Sequence, residues 1–220
     1  GLTADIGTAH DRIYLVGGMT DAGTSGRVDV YDTESDTWHA ATPRPIALAN
    51  VSAVAVGEAV LVPGGCTDDG NWTPSAATHL YDPSNDTWSD AGSLPTPLCA
   101  YALATYDGQI YLFGGWDGHT YRRLAYRYDP VAAVWEDLPD PAHARGFGAA
   151  AAIEDRILYV GGFVDDRELA TCEAYLPGDN RWESCQPMLQ PRGGLSLVAI
   201  GGRAYAIGGG WHTPLGFNER

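Results

Sequence analysis

Ile110-Tyr111-Leu112-Phe113-Gly114-Gly115 is an apolar run closed by a glycine pair, and the same ending returns at Gly17-Gly18, Gly64-Gly65, Gly161-Gly162 and Gly208-Gly209. The spacings between pairs are 47, 50, 47 and 47 residues. Behind the first four pairs a tyrosine precedes a tryptophan by seven residues: Tyr31 and Trp38, Tyr81 and Trp88, Tyr128 and Trp135, Tyr175 and Trp182. A period near 50 with glycine and aromatic landmarks is the pattern of one four-stranded propeller blade per repeat. The expectation is therefore an all-β β-propeller of four-stranded antiparallel blades, forming a single domain over 1–220. Its repeats are 1–47, 48–97, 98–144 and 145–191, with a partial repeat at 192–220.

Each repeat opens with small residues, as in Ala53-Val54-Ala55-Val56, Ala102-Leu103-Ala104 and Ala149-Ala150-Ala151-Ala152. Short side chains suit an innermost strand, where blades crowd together. A tight turn follows at Asp11-Arg12, Gly57-Glu58, Asp107-Gly108, Asp155-Arg156 and Gly201-Gly202, then the apolar run. Lack of polar alternation in that run fits a strand covered on both faces. Pro63 closes one such run, which a strand end tolerates. A third strand ends at the tyrosine and a fourth holds the tryptophan, with Asp82-Pro83-Ser84-Asn85 or Pro177-Gly178-Asp179-Asn180 turning between them.

Val160-Gly161-Gly162, Val28-Asp29-Val30-Tyr31-Asp32 and Tyr81-Asp82-Pro83-Ser84-Asn85-Asp86-Thr87-Trp88 resemble the hydrophobic-Gly-Gly, Tyr-Asp-Pro and Trp elements of kelch repeats, in their usual order. The resemblance covers essentially the whole chain. It implies a propeller of the kind found in the central domain of galactose oxidase, serving mostly as an interaction platform and in a minority of cases as an enzyme on sugars or alcohols. Propellers typically close with about 4–8 whole blades, so an incomplete fifth repeat predicts a segment of a larger propeller. Open strand edges would otherwise invite association with another chain.

Thirteen basic residues, all arginine, face 28 acids for a formal charge of −15. Such a field repels phosphate backbones and anionic lipid, disfavouring nucleic acid and membrane surfaces as partners. No apolar stretch approaches the roughly 18–20 residues a bilayer requires, and residues 1–20 lack a basic start followed by a long apolar segment. A protein or glycan partner is expected instead. Aspartate excess with lysine absent resembles proteins adapted to high salt; a GC-rich genome would explain the missing lysine alone.

Residues that return at one register serve every blade, so the glycine pairs, tyrosines and tryptophans are read as scaffold. None of the glycine pairs opens a nucleotide loop, because Gly-Lys-Ser or Gly-Lys-Thr never follows. Antiparallel geometry puts the loop after the glycines and the segment before the first strand on one face. The off-register residues on those loops are Trp72, Trp116, His119, Tyr121, Arg122, Arg123, Trp211 and His212, with Arg145 and Arg192 just before first strands. Exposed tryptophan beside arginine and histidine suits an interaction hot spot or a sugar-stacking surface. The stretch from Trp116 to Arg123 is duplicated in no other repeat.

Asp68-Asp69 and Asp165-Asp166 lack the alternate spacing of a calcium loop. Histidines 10, 39, 79, 119, 143 and 212 show no zinc spacing, so no metal and no cofactor is expected. A catalytic reading on this scaffold has two forms. A copper-radical oxidase resembling galactose oxidase would need a cysteine-tyrosine crosslink, and a mutarotase resembling sialic-acid epimerases would need an acid/base pair such as Glu168 or Asp165 with Arg122. No local motif supports either, and no catalytic residue is assigned.

Cys172 and Cys185 stand symmetrically about the 177–180 turn, where other repeats place Val28 and Ala41, Thr78 and Ala91, or Ala125 and Leu138. Cys66 and Cys99 fall on the long-loop face of adjacent repeats. Two disulfides, which would imply an oxidising compartment, and four small buried thiols are the alternatives. Asn50-Val51-Ser52, Asn71-Trp72-Thr73 and Asn85-Asp86-Thr87 match the glycosylation acceptor pattern, a motif that often arises by chance.

Overall fold

The computed structural model describes the backbone of residues 4–7 and the backbone and side chains of residues 12–210. All regular structure among the described residues is β. Four antiparallel sheets follow one another, and in each the spatial order of strands is their order in the chain. The first comprises Ala4–Gly7, Arg12–Val16, Val28–Asp32 and Thr37–Ala41. The second comprises Val54–Val56, Ala59–Pro63, Ala77–Asp82 and Thr87–Ser93. The third comprises Ala102–Tyr106, Gln109–Phe113, Ala125–Asp129 and Val134–Asp137, and the fourth Ala149–Ile153, Arg156–Val160, Cys172–Leu176 and Arg181–Ser184. Leu195–Ile200 and Arg203–Gly208 pair as a two-stranded sheet. No helix among the described residues is long and apolar enough to cross a membrane.

Two compact units emerge, one holding Gly1–Cys99 with Asp129–Trp135 and the other Ala100–Tyr128 with Glu136–Arg220. In the first, Val16, Val28, Val30, Leu48, Val62 and Tyr81 are buried together. In the second, Tyr111, Phe113, Ile157, Tyr159 and Tyr175 pack over Ala102 and Ala104, whose methyl groups leave room for the rings. Each such aromatic contributes on the order of 2–3 kcal/mol through removal from water.

The glycine pair forms a clasp between one repeat and the next. The second glycine's N–H donates to the carbonyl of Leu48, Leu98, Arg145 or Arg192, from Gly18, Gly65, Gly115 and Gly162 respectively, at 2.7–3.1 Å. The first glycine has a left-handed φ, 62° at Gly114, and a Cβ there would stand 2.3 Å from the carbonyl oxygen of Arg145. Any side chain would part the clasp.

The aromatic pair is a cross-strand couple, with Tyr31↔Trp38, Tyr81↔Trp88 and Tyr175↔Trp182 directly opposed. A second device accompanies it. The phenol donates to the side chain five residues on, from Tyr31 to Asp36, Tyr81 to Asp86 and Tyr175 to Asn180, at 2.6–2.8 Å. Those acceptors hold left-handed φ values of 50–53°, a conformation that Asp and Asn tolerate well. The third repeat has Ala133 there, also left-handed. The indoles of Trp88 and Trp182 donate to the carbonyls of Thr42 and Pro139 in the preceding repeat, whereas Trp38 is 54% exposed.

One turn assignment shifts by one residue. Arg156 opens a strand, paired with Ile153, because Glu154 and Asp155 make the turn with Glu154 left-handed. Arg12 starts its strand rather than lying in a turn, and Asp11 lies outside the described residues.

Candidate functional site

Trp116 follows the third glycine pair and forms an isolated bridge with Tyr121. Asp117 closes the excursion between them: its Oδ1 accepts the N–H groups of His119 at 2.9 Å and Thr120 at 2.8 Å. Its Oδ2 accepts from Arg122 Nη1 at 3.1 Å. Burial raises the Asp117 carboxyl, but those N–H donors and the Arg122 charge outweigh it and hold the group below the usual carboxylate range. The loop is therefore rigid where Asp117 ties it, and it displays His119 and Arg122 to solvent.

Tyr121 is half-buried, with its ring carbons 2.8 Å from where a Cβ on Gly146 would stand. Burial, and then the charge of Asp166, push its phenol up. Gly146 in turn bridges to Phe163, the first residue of the hairpin Phe163–Val164 and Arg167–Glu168. The loop at 116–122 and the hairpin at 163–168 thus adjoin through Gly146 on one face. Asp165 and Asp166 are that hairpin's turn, with φ 45° and 57°, and Glu168 pairs across it with Phe163. Of the mutarotase candidates, Arg122 is engaged with Asp117.

The remaining candidates belong to other segments of the chain. Trp72 is half-buried at φ 56° in a loop of the other unit, where Asp69 accepts the N–H groups of Asn71 and Thr73. Arg123 is exposed and lies 3.9 Å from Asp140. Arg192 is half-buried, donating to the carbonyl of Gly208 at 2.7 Å. Trp211 and His212 lie outside the described residues.

Arg145 requires correction as a contact residue, because it is a core residue with no exposed surface. It occupies the clasp position of Leu48 and Leu98. Its guanidinium pairs with buried Glu173, donates to Thr171 Oγ1 at 3.2 Å and to the Tyr159 carbonyl at 2.9 Å, and lies 3.7 Å from the Tyr159 ring centroid. Burial pushes the Tyr159 phenol up to about 12, against the lowering influence of Arg145.

Arg44, which the sequence left unremarked, is buried in the same manner in the other unit. It donates to the carbonyls of Val62, Gly64 and Ala77 and, through Nε, to His79 Nδ1 at 3.1 Å. His79 opposes Val62 in the ladder just as Glu173 opposes Tyr159. One register position on the third strand therefore accepts a buried arginine in both units. The arginines reach it from different points of the connecting segment.

Both disulfides are formed, Cys66 with Cys99 at a Cα separation of 5.5 Å and Cys172 with Cys185 at 5.1 Å. Since the chain has four cysteines, no thiol remains for a cysteine-tyrosine crosslink. No group of three or more His, Cys, Asp or Glu side chains suited to a metal occurs among the described residues.

The family model for the KLHDC2/KLHL20/DRC7 kelch-repeats domain matches residues 3–209. Beta-scruin of Limulus polyphemus is 31% identical over 137 residues, covering 59% of this chain and 15% of that protein. Kelch-like protein terF of Aspergillus terreus is 25% identical over 221 residues, covering 90% and 48%. The chain spans less than half the length of either relative. Among solved structures, that of YjhT superposes with a TM-score of 0.79 at 14% identity, covering 90% of this chain and 74% of that one, a likeness of fold.

Proposed function

Because the chain belongs to the kelch-repeat family, we propose that it is a non-catalytic interaction module presenting the surface around Trp116, His119 and Arg122 to a partner protein. One observation carries the reading: the loop at 116–122 holds half-buried Trp116 beside exposed His119 and Arg122 on an Asp117-tied backbone, and no other repeat duplicates it. Preorganised loops lose little entropy on binding, and tryptophan with arginine is the usual composition of an anchor. Arg122 and Arg123 add two half-exposed guanidiniums beside Asp117 and Asp140, a polar rim suited to a partner segment with carboxylates. A glycan is the second ligand class that the same aromatic surface suits.

Quantitative affinity capture from an extract of the source organism tests this, comparing the parent chain with Trp116→Ala and Arg122→Ala. Asp107→Asn, in the short turn before Gln109–Phe113, serves as a control. We expect each loop variant to lose at least about tenfold in partner recovery, the effect of an anchor worth 1.4 kcal/mol or more, with thermal stability unchanged. Equal capture by all four proteins would refute the assignment.

A further inference from the structure

We propose that Asn71 is a site of N-linked glycosylation. Three segments carry the acceptor pattern, and the structure separates them. Asn50 is half-buried at φ 52°, a backbone position that Ala100 and Phe147 hold in later repeats at 56° and 54°. Asn85 is exposed, but its carboxamide nitrogen donates to Asp82 Oδ2 at 2.6 Å and Ser84 Oγ at 3.2 Å inside the turn that every blade needs. Asn71 is exposed at a loop tip, and only its backbone N–H is drawn inward, to Asp69. A bulky, hydrated substituent there meets no sheet, clasp or turn.

A second observation concerns the compartment. All four cysteines are paired, which requires folding in an oxidising environment, the setting in which Asn-x-Ser/Thr acceptors are used. The Cys66–Cys99 bridge lies in the same loop segment as Asn71, since Cys66 bridges to Pro74 across it. In the folded chain the Thr73 hydroxyl donates to Asp69 Oδ2 at 2.5 Å. Modification therefore precedes closure of this loop, while that hydroxyl is free.

The donor class is an oligosaccharide linked through phosphate or diphosphate to a polyprenyl lipid. Nδ2 of Asn71 bonds to the anomeric carbon, the carbon–oxygen bond to phosphate breaks, the lipid phosphate leaves with the bonding pair, and one amide proton passes to a base. No oxidant or reductant is consumed.

Peptide mass mapping of the protein isolated from its source, before and after peptide N-glycosidase in ¹⁸O-water, decides the matter. Glycan on the Asn71 peptide, with Asn50 and Asn85 bare, is the expected result. A bare Asn71 with both disulfides intact overturns the proposal, as does a glycan on Asn85 alone or recovery of free thiols without glycan. Asn71→Gln and Thr73→Ala should each abolish the glycan mass; its persistence in either variant assigns it elsewhere and overturns the proposal.

Discussion

The Arg44 node of one unit and the Arg145 node of the other solve the same problem with different chemistry. Each places a guanidinium against the second and third strands of a blade, donating to the Val62 or the Tyr159 carbonyl, and each finds its side-chain acceptor at the same register position. In one unit the acceptor is the imidazole of His79 and in the other the carboxyl group of Glu173. The surface pair of Arg122 and Asp117, with side-chain exposures of 45% and 15%, belongs to a different class from Arg145 and Glu173, at 0% and 4%. Arginine at a repeat-bound position is thus buried in the scaffold, whereas Arg122 on the unduplicated loop stands in a half-exposed surface pair.

Removing the buried carboxylate is the most severe way to break this comparison. Glu173→Ala leaves Arg145 charged in the core and should cost about 3–5 kcal/mol, read as a thermal midpoint lowered by roughly 10 °C or more. The double change Arg145→Leu with Glu173→Leu removes both charges and should recover most of that loss. A Glu173→Ala midpoint within a degree of the parent would show that the pair holds nothing together.

The histidine node should respond to pH instead. Burial, and then the Arg44 charge, push the His79 imidazole below its ordinary 6.5, and Nδ1 must be unprotonated to accept from Arg44. The unfolded chain then binds the proton first. Stability is fully present above about pH 6.5 and falls as pH drops through that value toward the folded one. Unfolding free energy measured between pH 7.5 and 5.5 should decline, and His79→Gln should flatten the decline. Equal slopes in both proteins would contradict the role of His79.

The surface pair should matter least to folding. Arg122→Ala removes an exposed ion pair and should change stability by less than about 1 kcal/mol in chemical denaturation. A larger loss would place Arg122 with the scaffold arginines and erase the distinction.

Strands, turns and clasps were legible because they recur: four copies of one pattern report what every blade needs, and counting from Gly114 locates its equivalents. The candidate site was legible only by subtraction, and subtraction by residue type failed at Arg145. Its place, held by Leu48 and Leu98 in other repeats, would have marked it as core had register been weighed above charge. Glu173 and His79 escaped notice because their partners stand 28 and 35 residues away, a separation no local pattern encodes. Asp117 escaped because its work is done on backbone N–H groups, which any sequence supplies.

Hydrogen exchange of the chain, free and bound to the partner recovered by affinity capture, tests most directly the claim that repeat-bound residues are scaffold and the loop at 116–122 is the site. Binding should slow exchange at amides 116–122, and at 163–168 where the hairpin adjoins through Gly146. Protection confined to the short turns at 107–108 and 154–155, at the other ends of the strands, would place the partner away from the loop and contradict the account.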